Sequence, residues 1–433
     1  MAMDINSRLL RSVTMNDLIT VRSLIMAGAN PNTRDKWGET PIMRITDEDT
    51  VRLLIEKGAT LNVRDKEGTP ALYYLTTHTN NLNLIKIFLE AGANPNFTTF
   101  DGKMPLSNPY FEISTEITKL LLKHGANPNQ KDKWGISPVM SNQNVEDVKL
   151  LVKAGANVFD VDKNGCNALM HSNNADKIKY LIELGINPNA KDNKGMTALS
   201  YMYYEGCIKE LIAAGADPFV KDNEGNTVLW RAFNNQILEY YIKLGVNVNE
   251  RNLNGETALM NQYINKENMQ AFINAGANLN IKDNNGKTVL LHYSARADYV
   301  NDGAAIIPML LANGADPNAV DNNGNTVITN CLKTTSDVKT LEAFLKAGAN
   351  PNTKDKDGKC PLIHAMNSYM GINAVRALLK AGANPNVNDK NGKSVLQYAV
   401  NKGNDVLIAC LIESDAKVLV KEKKSKEVER EKD

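Results

Sequence analysis

Histidines, cysteines and paired acids are the raw material of metal centres, nucleophiles and acid–base pairs, and their spacing decides which of these a chain can assemble. This chain of 433 residues has five histidines, at 78, 124, 171, 292 and 364, and five cysteines, at 166, 207, 331, 360 and 410. No two histidines have the i, i+4 spacing that sets two imidazoles on one helix face for a zinc ion. None belongs with a Cys or Ser in a nucleophile motif. There is no P-loop and no glycine motif of the dinucleotide kind. The cysteines are odd in number and lack C-x-x-C, so they read as buried or free thiols in a reducing compartment. One acid recurs, the aspartate of a D-x-x-G motif, and its regular return marks a turn residue, not a catalytic series. The expectation is no catalytic residue, no cofactor site and no metal site.

The elements that carry these side chains are set by repetition. The stretch NPNAKDNKGMTAL, 187–199, returns with small changes along the chain. Glycines that precede it, from Gly28, Gly58, Gly92 and Gly125 to Gly382, are spaced 30 to 38 residues apart, the period of a stacked repeat array. Each piece has a physical job. Gly185 follows a helix end, where a left-handed residue is needed. Asp192 and Gly195 supply turn chemistry. Thr197 is the expected helix N-cap, and Pro follows that position in Thr40-Pro41, Ser137-Pro138 and Cys360-Pro361, which suits a first helical turn.

This pattern resembles the ankyrin repeat, with its D-x-x-G turn, T-P-L-H, paired helices and G-A-x-x-N, across about residues 4 to 418. The resemblance implies an all-α fold, an ankyrin-repeat solenoid of twelve to thirteen stacked helix-turn-helix pairs joined by β-hairpin-like loops. It also implies that His292 and His364, at or beside the T-P-L-H histidine, bond to neighbouring backbone. Met43, Met140, Met170, Ser200, Trp230, Met260 and Gln397 would replace that histidine elsewhere, with Trp230 in the core.

Composition narrows the class further. The chain is 42% hydrophobic and 23% charged, with net charge +1, so neither a basic nucleic-acid footprint nor an acidic tail dominates. No apolar run approaches the roughly 18 residues a membrane span needs, and the first residues do not read as a signal peptide. A cytoplasmic protein is expected.

Residues 1–30 read as an N-terminal capping helix pair, with Leu9, Leu10, Val13, Leu18, Val21, Leu24 and Ile25 as its apolar faces. Tandem repeats fill 31–390, a capping repeat 391–418, and a charged tail, disordered or weakly helical, 419–433. Several repeats, such as 39–59, lack about three residues at the end of the inner helix, which trims it by roughly one turn. Asp47 is the expected cap of the outer helix in that repeat. An insertion, about Arg296 to Gly303, separates the helices of one later repeat.

What remains for function is surface. Ankyrin resemblance implies that the hairpin tips and inner helices line a concave face that grips a partner protein. Trp37, Phe100 and Trp134 put large aromatics at the tips, a residue class enriched in binding hot spots. Lys36, Lys66, Lys133, Lys163 and Lys194 stand beside them as further candidate contacts. Lys or Arg also precedes the turn residue in eight of twelve copies, a ridge that reads first as a solvated edge. The expected role is a monomeric, non-enzymatic scaffold or adaptor for one or more proteins, with no small-molecule substrate. An inhibitor or effector that blocks a partner enzyme is the alternative, and a binder of nucleic acid or anionic surfaces ranks below both.

Overall fold

In the computed structural model the described residues are 4–79, 81–107, 114–261, 263–295 and 303–414. The tail 419–433 and most of the Arg296–Gly303 insertion lie outside them. The chain divides into two units, Met1–Asp217 and Pro218–Asp433. Each is a succession of helix pairs, and the fold is an all-α repeat solenoid.

In the first unit, helices Ile5–Thr14 and Leu18–Met26 form the opening pair, and Leu9 and Val21 on them are fully buried. Thereafter the outer helices have one length. Glu48–Glu56, Leu82–Glu90, Thr115–Lys123, Val145–Lys153, Ala175–Glu183 and Glu205–Ala213 each span nine residues. Short polar side chains start most of them, because the first N–H groups of a helix have no partner inside it. Asp47 accepts from Thr50 N at 2.9 Å, Asn81 from Leu84 N at 3.1 Å, and Asn174 from Lys177 N at 3.1 Å.

The inner elements are shorter, as the missing residues foretell. Ala71–His78 runs for eight residues, but Pro41–Arg44 and Pro138–Ser141 are single turns, Ala198–Tyr201 is a 3-10 turn, and 168–171 is a turn with no helix. The expected Thr197 cap is not made: Thr197 sits at the N-cap position without a side-chain bond, as do Thr40, Ser137 and Cys360. In each of these tight turns the N–H three residues on, which a cap side chain would take, bonds instead to the cap residue's own carbonyl, as Ser200 N does to Thr197 O at 3.0 Å. Where the inner helix is longer, in the second unit, Thr326 and Ser394 do cap, each within a reciprocal capping box.

A truncated helix leaves carbonyls open, and the neighbouring repeats answer them. Lys177 Nζ donates to Met140 O at 3.1 Å, Asn142 Nδ2 to Leu106 O at 3.0 Å, and Gln143 Nε2 to His171 O at 2.9 Å. In the second unit Asn268 Nδ2 donates to Ala232 O at 3.1 Å and Asn261 Nδ2 to Trp230 O at 2.8 Å. That second unit carries the pairs from Val228–Arg231 with Asn235–Lys243 to Val395–Asn401 with 405–414. Apolar seams hold the repeats of each unit together. Leu169, Ile178 and Leu181 are fully buried in one repeat of the first unit, and Leu290, Leu341 and Phe344 in the second. Each such side chain contributes roughly 1.5–3 kcal/mol relative to exposure.

Two further sets of bonds run along the loops. The last asparagine of G-A-x-P-N clamps the next repeat with both ends of its amide. Asn96 Nδ2 donates to Gly125 O at 2.9 Å while its Oδ1 accepts from Asn127 N at 2.7 Å. Asn129, Asn189, Asn280, Asn318 and Asn352 repeat the arrangement. Phe159 in the first unit and Phe219 in the second stand at the clamp position and carry no amide. Nearer the edge, the D-x-x-G tips join by single backbone bonds: Lys66 N to Trp37 O at 2.9 Å, Lys133 N to Asp101 O at 3.0 Å and Lys163 N to Trp134 O at 2.9 Å. The tips are hairpin-like in this sense, although the described residues show isolated bridges (Arg64 with Pro70, Asn388 with Ser394) and no paired strands.

Two substitutions probe this packing. Gly102 lies at φ +85, and a Cβ there would meet Lys133 N at 2.9 Å. Gly102→Ala is expected to cost on the order of 1–3 kcal/mol and to loosen that tip bond, seen as a lower denaturant midpoint and faster amide exchange at Lys133. Lys177, fully buried, has its pKa pushed down from 10.5 to about 7 by loss of solvation. Between those values the unfolded chain binds more protons than the folded one, so this group's penalty grows as pH falls from about 10.5 and is complete below about 7. Lys177→Met leaves Met140 O unpaired at every pH but removes this penalty, so the variant's denaturant midpoint relative to the parent chain should be more favourable at pH 7 than at pH 9.

Candidate interaction surface

The D-x-x-G aspartate organises each tip before any side chain there can meet a partner. Asp35 Oδ1 accepts from Trp37 N at 2.8 Å and Glu39 N at 3.0 Å, and Asp132 Oδ1 accepts from Trp134 N at 2.9 Å and Ile136 N at 2.8 Å. With the backbone tied down, the residues between Asp and Gly have nowhere to go but outward. Trp37 is 48% exposed, Phe100 71% and Trp134 43%. Lys36, Lys66, Lys133, Lys163 and Lys194 are all exposed as well. Every candidate contact named from the sequence is on the surface of the first unit.

Cations flank the rings. Lys36 Nζ lies 4.1 Å from the centre of the Trp37 ring, with the Arg44 guanidinium on the same ring at 5.2 Å. Lys133 Nζ is 4.3 Å and Lys103 Nζ 5.7 Å from Trp134. Contacts of this kind are worth about 0.5–1 kcal/mol at exposed sites and hold a ring in place. Phe100 is fixed differently. Its ring lies over Gly68 of the preceding tip so closely that a Cβ on Gly68 would meet Phe100 Cγ at 2.2 Å. Thr99 stands where other tips have Asp, and its hydroxyl accepts from Lys103 N at 3.0 Å and donates to Asp101 Oδ1 at 2.5 Å. Burial raises the Asp101 carboxyl, but Thr99 and Lys103 outweigh it and hold that carboxyl below its ordinary range.

The basic ridge has a role that local pattern does not reveal. In most copies that have one, the cation before the turn residue reaches the equivalent carbonyl one repeat on. Arg34 Nη1 donates to Arg64 O at 2.7 Å, Arg64 Nε to Thr98 O at 2.6 Å and Lys131 Nζ to Val161 O at 3.3 Å. In the second unit Arg251 Nη2 donates to Lys282 O at 3.0 Å, Lys282 Nζ to Val320 O at 3.2 Å and Lys354 Nζ to Asn388 O at 2.9 Å. Here the ridge is a row of staples between repeats. The signal was its strict position, one residue before the turn aspartate.

The histidines also differ from expectation. His171, His292 and His364 bond through Nε2 to the Oδ2 of their own tip aspartate, nine residues earlier, at 2.9, 2.9 and 2.8 Å. Tyr398 does the same with Asp389 at 2.8 Å, and Tyr201 with Asp192. The tie runs to the carboxylate, not to backbone, because the tip turn aims that oxygen at the first helical turn. It also shows that the residues Met43, Met140, Met170, Ser200, Trp230, Met260 and Gln397 do not occupy the histidine position; they precede it by one. Trp230 is half-buried. Burial lowers the pKa of His292 and His364 against the pull of their aspartates.

A cavity of about 350 Å³ opens on the outer helices of the second unit, lined by Asn235, Glu239, Lys266, Glu267, Gln270 and Met309 among others. It gathers no histidine, cysteine or serine. The five cysteines form no disulfide, and four of them are buried. No helix among the described residues is long and apolar enough to cross a membrane.

The ring geometry is testable by quenching. Iodide should reach Trp37 and Trp134 with the help of Lys36 and Lys133, whose charge concentrates the anion. Lys36→Glu with Lys133→Glu is expected to cut iodide quenching of tryptophan fluorescence markedly while leaving quenching by neutral acrylamide nearly unchanged.

A family model described as ankyrin repeats (3 copies) matches residues 9–99, 110–192, 171–252, 229–321 and 291–389. A search of the curated proteins finds no match.

Proposed function

The chain belongs to the ankyrin-repeat family, and on that premise we propose that it is a non-enzymatic scaffold or adaptor that binds a partner protein through its tips and inner turns. The observation that carries this reading is the set of exposed rings Trp37, Phe100 and Trp134 on tips already fixed by backbone bonds. A surface that presents large aromatics in held positions loses little conformational entropy on binding, which is what separates a contact surface from a merely soluble edge. Lys36, Lys66, Lys133, Lys163 and Lys194 would form its polar rim.

The staples weigh against nucleic acid as the partner. Arg34, Arg64 and Lys131 spend their donors on the next repeat's carbonyls, and what remains exposed is Lys interspersed with Asp and Glu. Phosphate binding would need denser free cations. The domain organisation that goes with this function keeps 1–30 and 391–418 as caps and 31–390 as the binding array, acting as a monomer. Five cysteines that form no disulfide fit a reducing compartment such as the cytoplasm.

The test is affinity capture with the full chain as bait and mass spectrometry of the retained proteins. Trp37→Ala with Trp134→Ala should lose the specific partner, by tenfold or more in affinity once it is purified, with circular dichroism unchanged. Undiminished capture by the double variant would place the contact elsewhere.

A further inference from the structure

The tie between a tip aspartate and the residue nine positions on recurs through the chain, but in one place a thiol is built into it. Cys166 is 5% exposed and lies between two adjacent repeats. On one side is its own repeat's pair, Asp162 Oδ2 and His171 Nε2, 2.9 Å apart. On the other is the next repeat's pair, Asp192 and Tyr201, with Cys166 Sγ 3.7 Å from Asp192 Oδ2 and 3.5 Å from Tyr201 Oη. Ligand atoms of Asp162, Cys166 and His171 all fall within 4.8 Å of one another. Thus a thiol, an imidazole and one carboxylate, the last 8% exposed, converge on one small volume, and Asp192 of the next repeat borders it on the thiol side.

From this convergence we infer that Asp162 Oδ2, Cys166 Sγ and His171 Nε2 form a three-ligand binding site for a zinc-like divalent cation, at the seam with the next repeat of the first unit. A tetrahedral zinc with nitrogen and oxygen ligands at about 2.0 Å and sulfur at about 2.3 Å sets N···O near 3.3 Å and S···O near 3.5 Å. The observed N···O distance of 2.9 Å lies within a few tenths of an ångström of that spacing, and the sulfur stands within 4.8 Å of both atoms. Sulfur beside nitrogen selects zinc over calcium or magnesium, which take oxygen ligands.

The outer shell is already in place. Asp162 Oδ1 accepts from Asn164 N at 2.7 Å and Cys166 N at 2.9 Å, and Asp192 Oδ1 accepts from Lys194 N at 2.8 Å and Met196 N at 2.9 Å. Asp162 therefore turns only its second oxygen toward the thiol and the imidazole, an orientation that supports a metal ligand, while Asp192 Oδ2 accepts from Tyr201 Oη. A second cluster, Glu256, Asp283 and His292, shares the tie but has no sulfur, so a spectroscopic probe of the thiolate tells the two apart.

The experiment titrates cobalt(II) into the chelator-treated full chain under reducing conditions. The expected result is one equivalent that gives a thiolate-to-cobalt charge-transfer band with intense tetrahedral d–d absorption, both bleached by zinc(II). Cys166→Ser should abolish the charge-transfer band, and His171→Ala or Asp162→Asn should weaken cobalt affinity tenfold or more. Cys410→Ser, at the half-exposed thiol, should leave the spectrum intact. Circular dichroism checks each fold; should His171→Ala not fold, the single-atom change in Cys166→Ser decides. A band that survives Cys166→Ser, a band lost in Cys410→Ser, a weak octahedral spectrum, or no sulfur band at all would overturn the site.

Discussion

A helix of one turn cannot satisfy its own backbone, and this constraint governs the molecule. Repeats shortened to 30 residues leave open carbonyls at the inner turn and open donors in the connecting loop. Those groups find partners one repeat away. Lysine and asparagine side chains reach the inner-turn carbonyls, the asparagine amides clamp the loops, and the tips join backbone to backbone. Hydrogen bonding that most helical proteins complete within an element is here completed between elements. Stability is accordingly a property of neighbours, as expected of quasi-one-dimensional folds.

The same constraint explains where the polar interior comes from. Lys177, Asn142 and Asn268 occupy seam positions where an apolar residue would pack well. Leaving a buried carbonyl unpaired costs more than a net hydrogen bond gains, so a polar side chain is retained at those seams. Lys177 illustrates the compromise: its stem fills the seam and its amine serves Met140, at the expense of a depressed basicity.

Much of the fold was legible from period and turn chemistry. The glycine spacing, the D-x-x-G turns, the Asp47 cap and the one-turn loss in the inner helix all read directly, because they are local. The Thr197 cap did not survive, since the 3-10 turn gives the Ser200 N–H to the Thr197 backbone carbonyl and leaves the hydroxyl without that target. Exposure of Trp37, Phe100 and Trp134 was legible from their place inside the turn. The staple role of Arg34, Arg64 and Lys131 was not, because a bond to a carbonyl about thirty residues on depends on stacking that no local pattern encodes. Nor did spacing place Cys166 near Asp192, a meeting that requires two repeats to be folded against each other.

The clamp sequence has two substitutions, Phe159 in one unit and Phe219 in the other, where a benzyl group replaces the amide that elsewhere grips the next loop. Tension applied along either unit would meet unequal resistance. Rungs secured by a bidentate amide would hold, and the rung beginning at the phenylalanine would part first. Such an array behaves less like a uniform spring than like a perforated strip, with the place of tearing written into one codon.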